Sequence, residues 1–455
     1  MEISEPPEDA SASLAHSSLR PITLFDQVNI NIFWLACQFH WQALQAIVIP
    51  SMVAHFLDPR FKAINLSTVV TLGTIVAFIV NPLVGAISDY ATFRMGRRRP
   101  FMIVGTIFNV IVLVVFAFSP SWFPSGLLLL VFTLLFLLLE FTNNVANAPW
   151  SAIIADKVPV HQRGLCSGFN GLFNLLGTAL GSIVAGALLG GELSMPAYRN
   201  AVVQIFLLIA LVQIVFVAYT VITVKETPLP ASQHQVFHLR TFIKRLYFHP
   251  ARYPDLSWVL LARFLVMMGI WSVFYFLVYF FTDVLGGPGV KTILLNTPFT
   301  GEEFNGVLFQ PILLVASLPT SLVAGWASDR WGRKGMVYLS GAMMALVCLI
   351  FILFPSQYIA LIGGACFGIA YGAYSSVDWA LTADVLPPTN EAGKFLGIWT
   401  AMGILPQVIG IIIGGILLQS LQGLPHHLGY TILFLLTVFY CTSGTIIIAK
   451  VKGVR

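Results

Sequence analysis

Gly85-Ala86-Ile87-Ser88-Asp89, six residues, then Gly96-Arg97-Arg98-Arg99: this run closes an apolar segment. It returns as Gly325-Trp326-Ala327-Ser328-Asp329, two residues, then Gly332-Arg333-Lys334. Both copies read G-x-x-S-D, a spacer, then G-R-basic. A second pair follows in the same order. Ala155-Asp156-Lys157-Val158-Pro159 is matched by Ala383-Asp384-Val385-Leu386-Pro387. In the next apolar segment Gly168 and Gly181 are thirteen apart, as are Gly397 and Gly410. Three matches, between 228 and 240 residues apart, are most simply explained by two copies of one structural unit.

The medium of that unit follows from composition. The chain has 455 residues, 57% hydrophobic and 9% charged, where soluble domains carry about 25% charged residues. The apolar residues fall in blocks long enough to cross about 30 Å of hydrocarbon as helices. Twelve are expected, near 28–55, 66–88, 101–119, 125–155, 165–190, 202–224, 258–282, 304–327, 336–354, 358–386, 394–420 and 428–450. The expected fold is an all-α membrane protein with two six-helix bundles, 28–224 and 258–451. A disordered cytoplasmic tail (1–27), a basic cytoplasmic linker (225–257) and a short cytoplasmic end (452–455) complete the chain.

The net charge of +5 is concentrated in the loops on one side, among them Arg94, Arg97, Arg98, Arg99, Lys244, Arg245, Arg333 and Lys334. By the positive-inside rule that side is cytoplasmic, with both termini. The charge therefore speaks for a bilayer as partner and against nucleic acid. The five cysteines lie in or beside apolar blocks without a CxxC pair, against a disulfide framework or zinc site. There is no phosphate-binding G-x-x-x-x-G-K-[ST] loop and no HExxH or G-x-S-x-G run. The chain is expected to be no enzyme and to hold no cofactor.

Polar residues inside the blocks mark the candidate site. Glu140, Asn143, Asn144 and Asn147 recur at i, i+3, i+4, i+7, one stripe of an otherwise apolar helix. A carboxylate at that depth costs roughly 2.5–3.5 kcal/mol on insertion scales, so a functional role is the default. Removal from water penalises its charged form, which suits Glu140 to pick up and release a proton. Asp378, in a stripe with Tyr371, Tyr374, Ser375 and Thr382, is a second proton or substrate candidate. Its alternative is an ion pair with Arg263. Arg263 either binds substrate, completes that pair or snorkels to the headgroups.

In the first block Gln38, Trp41, Gln42 and Gln45 share a narrow face. Amides answer the hydroxyls at a sugar's edge, and an indole stacks on its C–H face. Trp271 and Tyr275 are a weaker version of the same pattern. Pro149, beside the polar stripe, is a hinge candidate.

The paired G-x-x-x-D…G-R-[RK] elements resemble the signature of the major facilitator superfamily across nearly the whole chain. The run from Ser88-Asp89 to Pro100-Phe101 is similar to the sucrose–proton symporter branch, related to the glycoside–pentoside–hexuronide symporters. The Glu140 stretch resembles that branch's fourth helix, with Glu140 for its Asp, Asn147 for its Gln and Ser151 for its Arg. Gly393, Gly397, Pro406 and Gln407 resemble its eleventh helix. The resemblance implies a monomeric plasma-membrane transporter of alternating access, coupling a sugar to H⁺, with Gln407 among the substrate contacts. It also implies a gating latch of Gly85, Asp89, Arg97 and Arg98, repeated by Gly325, Asp329 and Arg333. The alternatives are a facilitator or exporter of another small polar solute and a receptor that binds without translocating.

Overall fold

The computed structural model describes residues 21–151, 153–159, 162–191, 193–226, 228, 249–285, 299–386 and 392–452. Residues 1–20, most of the expected linker and the side chain of Asp329 lie outside them. Among the described residues, twelve helices are long and apolar enough to span a bilayer. They are α1 Leu24–Phe56, α2 Pro59–Asp89, α3 Arg99–Trp122, α4 Ser125–Ser151, α5 Leu165–Leu189 and α6 Met195–Thr223. The second set is α7 Pro254–Phe274, α8 Gly301–Ser328, α9 Arg333–Leu353, α10 Gln357–Thr382, α11 Gly397–Ser420 and α12 Leu428–Lys450.

Packing repeats between the sets. In the first, α1 packs on α5, α2 and α3 on α4, and α3 on α6; in the second, α7 packs on α11, α8 and α9 on α10, and α9 on α12. Small residues permit these approaches. A Cβ added to Gly177 of α5 would lie 2.3 Å from the Leu35 carbonyl oxygen of α1, and one added to Gly372 of α10 would lie 2.2 Å from that of Ser317 in α8. Many large apolar side chains point outward, as a lipid solvent requires: Val104, Phe108, Ile222, Leu322 and Ile362 are all exposed.

The halves meet through α1 with Leu277–Phe280, the continuation of α7, α2 with α11 and α5 with α8, which is the pairing a twofold relation demands. Hydrogen bonds across this seam gather at the end remote from Arg97–Arg99. Tyr279 donates to the Pro50 carbonyl at 2.9 Å, Ser51 to Glu302 at 3.0 Å, Ser67 to the Ile411 carbonyl at 2.9 Å and Ser182 to that of Gly306 at 2.9 Å. Lys62 and Asp283 add an ion pair at 2.6 Å. Two π-helical turns, Leu44–Val48 in α1 and Phe304–Phe309 in α8, face each other here. Such turns loosen the regular backbone ladder, and the Ala46 carbonyl within one of them accepts from Asn305 at 3.1 Å.

At the basic end the arginines are engaged inside their own halves. Arg98 contacts Asp89 at 3.0 Å, Asp156 at 2.6 Å and the Pro149 carbonyl at 2.8 Å, joining the ends of α2 and α4. Arg97 also reaches Asp156 at 2.6 Å. In the second half Arg333 pairs with Asp384 at 2.6 Å. Gly85 stands 4.0 Å, measured from an added Cβ, from the Ala148 Cβ, and Gly325 3.0 Å from the Ser376 hydroxyl. Asp156 and Asp384, noticed in the sequence only as a repeat, are thus the acids these arginines hold.

Candidate functional site

Between the halves lies a cavity of about 300 Å³. Its polar wall comes from Gln38 and Gln42 of α1, Thr178 of α5, Trp271 of α7, Gln310 of α8 and Tyr371 of α10. Three N–H donors on that wall, Gln42 Nε2, Trp271 Nε1 and Gln310 Nε2, have no hydrogen-bond partner among the described residues. Gln310 is only 3% exposed. Buried donors are rarely left unmatched, which sets these three residues of the lining apart from its other members.

Of the residues singled out in the sequence, Gln38, Gln42, Trp271 and Tyr371 line this cavity. Gln310 and Thr178 were not singled out. The one signal for Gln310 is that it is the sole glutamine of an apolar block.

The polar stripe of α4 is placed differently from its expected position on a cavity wall. It faces helices of its own half. Asn143 Oδ1 accepts from Trp41 Nε1 at 2.9 Å and from Asn147 Nδ2. Asn147 Oδ1 accepts from the Cys37 thiol at 2.9 Å, and Asn144 Oδ1 from Asn81 at 2.8 Å. These amides are satisfied by neighbours, because α1 and α2 carry matching polar groups at the same depth.

Glu140 also stands back from the cavity wall and is 4% exposed. It accepts from Gln45 Nε2 at 3.2 Å and from Asn144 Nδ2 at 3.4 Å, and no ion pair to it occurs among the described residues. Gln45 Oε1 in turn accepts from the hydroxyl of Tyr275, the residue that caps α7, at 3.0 Å, and that hydroxyl accepts from Gln407 Nε2 of α11. The donors run in one direction, Gln407 to Tyr275 to Gln45 to Glu140, from the second half to the carboxylate in the first. Trp271, on the cavity wall, lies with its ring centroid 5.9 Å from that of Tyr275.

Asp378 and Arg263 form an ion pair nearer the basic end. Tyr374 donates to Asp378 at 3.3 Å, Arg263 donates to the Trp399 carbonyl at 3.1 Å, and its guanidinium lies 3.7 Å from the Trp399 ring centroid. The pair binds α7, α10 and α11 together and is absent from the cavity lining.

Two six-helix halves closed at one end around a central cavity define a membrane transporter of the major facilitator type. The chain belongs to the MFS/sugar transport protein family, whose model matches residues 59–450. It is 24% identical to the sucrose transport protein SUC4 of Arabidopsis thaliana over 86% of either chain, and 31% identical to SUT3 of Oryza sativa subsp. japonica over 34% of this chain and 35% of that one. Among solved structures it is similar to a D-xylose-proton symporter, with TM-score 0.68, 17% identity and coverage of 95% of this chain and 99% of that one. The nucleoside transporter NupG gives TM-score 0.68, 12% identity and coverage of 94% and 99%.

Proposed function

We propose that the protein is a plasma-membrane, proton-coupled glycoside carrier working by alternating access as a monomer, with its basic end and both termini cytoplasmic. The observation that carries this is the linkage of a buried acid without an ion pair among the described residues, Glu140, through Gln45 to the opposite half, beside a cavity lined by Gln38, Gln42, Trp271 and Gln310. An ionised Glu140 is a strong acceptor and draws Gln45 and Tyr275 into line. Protonation weakens that pull, so the loaded and empty carriers favour different arrangements of the halves. Gln38, Gln42, Trp271 and Gln310 hold the sugar; Asn143 and Asn147 fasten α4 to Trp41 and Cys37 of α1, and Asn144 fastens it to Asn81 of α2. Asp378 and Arg263 neutralise each other and clamp three helices. The Arg98 and Arg333 clusters are the latch elements, released within each half while the cytoplasmic end is open. The sucrose relatives and the D-xylose-proton symporter support a sugar and a proton as cargo.

Glu140→Gln in reconstituted vesicles tests the coupling. The amide is isosteric but cannot ionise, so uphill sugar accumulation under an imposed proton gradient should vanish while sugar-for-sugar exchange persists. Accumulation at the native level would refute the role of Glu140.

A further inference from the structure

On the outer surface of the first half, α3 and α4 part to leave a groove of about 610 Å³ whose wall presents no polar surface. Phe101, Val104 and Phe108 of α3, Phe141 and Val145 of α4, and Phe93 of the loop before α3 line it. Thr142, the hydroxyl residue of the lining, donates to the Leu138 carbonyl at 2.7 Å. Position along α3 gives the groove its length. From Phe101, in the first turn, to Val112, also in the lining, the helix rises about 16 Å. That is one leaflet of a hydrocarbon core about 30 Å thick. Phe93 meets Phe101 edge-on, with ring centroids 6.0 Å apart, so the shallow end lies at the loop that carries the arginines.

One charge of that loop is uncommitted. Arg97 and Arg98 are paired with Asp156 and Asp89, and Arg99 donates to the Val221 carbonyl. The Glu226 carboxylate accepts from the backbone N–H groups of Arg98 and Arg99. Arg94, the neighbour of Phe93, is exposed and has no hydrogen bond or ion pair among the described residues.

We infer that the groove holds an anionic phospholipid of the leaflet at the basic end, one acyl chain between α3 and α4 and the phosphate on Arg94. An acyl chain of that leaflet matches the groove in length and in chemistry. Guanidinium and phosphate meet through charge-assisted hydrogen bonds, and an anionic headgroup leaves a net charge for Arg94, where a choline headgroup brings its own cation. A lipid seated there ties the loop of Arg97 and Arg98 to the bilayer. The site is separate from the central cavity and does not depend on its cargo.

The test uses two photoreactive phospholipids with the same diazirine-tagged acyl chain, a phosphatidylglycerol and a phosphatidylcholine. Each is added to phosphatidylcholine nanodiscs holding the full chain, and labelled peptides are read by mass spectrometry after illumination. The glycerol lipid should label residues 101–112 and 138–145 about fivefold more than the choline lipid, the factor one surface arginine supplies. The outward face of α10 around Ile362, exposed to the same bilayer, should show no such preference. Arg94→Gln should remove the preference, and Val104→Trp, which crowds the groove, should lower labelling by both lipids. Equal labelling by the two lipids, a preference that survives Arg94→Gln, or labelling no denser than that of α10 overturns the site. So does a photoreactive cholesterol that labels the groove in preference to both phospholipids. The two lipids compared on the unaltered protein decide the matter even where a variant does not fold.

Discussion

Two buried amides illustrate what a polar residue does in this bundle. Asn143 has its carbonyl oxygen claimed by Trp41 and Asn147, whereas the Gln310 amide nitrogen has no partner among the described residues. Removing a partner from a buried hydrogen bond strands the group left behind, at about 1–3 kcal/mol. Asn143→Leu should therefore lower stability by about that amount, because it orphans the Trp41 indole. Gln310→Leu removes a donor that nothing in the empty protein satisfies. Its unfolding temperature should stay level or rise, while sugar affinity falls by about 2–10-fold, the loss of one net hydrogen bond of roughly 0.5–1.5 kcal/mol. Thermal unfolding with and without sugar separates the two variants. Equal destabilisation by both would show that Gln310 is matched by structure rather than reserved for a ligand.

At the scale of helices, the repeat visible in the sequence hides an asymmetry of burial. Arg98 is 2% exposed and joins α2 to α4 through Asp89, Asp156 and the Pro149 carbonyl. Arg333 pairs with Asp384 with both side chains partly solvated. Breaking a buried ion pair costs about 3–5 kcal/mol, and a solvated one about 0–1 kcal/mol. Asp89 is half-exposed, so Arg98→Ala should cost on the order of 2–4 kcal/mol and Arg333→Ala about 1 kcal/mol or less. Urea- or heat-induced unfolding in one detergent ranks them; the reverse order would refute the argument from burial. The twelve spans and the doubled unit were legible in hydropathy and in the Gly85 and Gly325 runs, since a bilayer dictates helix length and charge side. The partners of the arginines were not, because Asp89, Pro149 and Asp156 converge from three elements. The cavity lining was equally hidden: Phe351 beside the cavity and Phe108 on the outer surface are the same letter in the same kind of segment. The stripe of Glu140 was visible as one face of a helix, but the direction of that face depends on α1 and α2, which periodicity within α4 does not contain.

For the whole molecule, four glycines report which end is open. Gly168 and Gly186 of α5 are eighteen residues apart, five turns at 3.6 residues each, and so share one face. Gly397 and Gly415 repeat this in α11. At the end remote from the arginines the face is closed on the other half. A Cβ on Gly186 would lie 2.8 Å from the Gly306 Cα, and one on Gly415 2.4 Å from the Ser67 Cβ. At the basic end the same face is bare: a Cβ on Gly168 or Gly397 meets nothing within 4 Å among the described residues. Rocking the halves to open the remote end must bring the bare glycines against α8 and α2, where a large side chain would obstruct closure. Gly168→Leu and Gly397→Leu should therefore fold and bind sugar but hold the basic end open, cutting transport by at least tenfold. Gly186→Leu and Gly415→Leu should act in the opposite sense, wedging the remote seam and favouring closure of the basic end. Spin labels placed on α5 and α8 at the basic end would read this as a single long distance for the first pair and a shift toward the short distance for the second. If all four substitutions shift the distance the same way, or Gly168→Leu transports at the native rate, the five-turn face is not the surface on which the halves alternate.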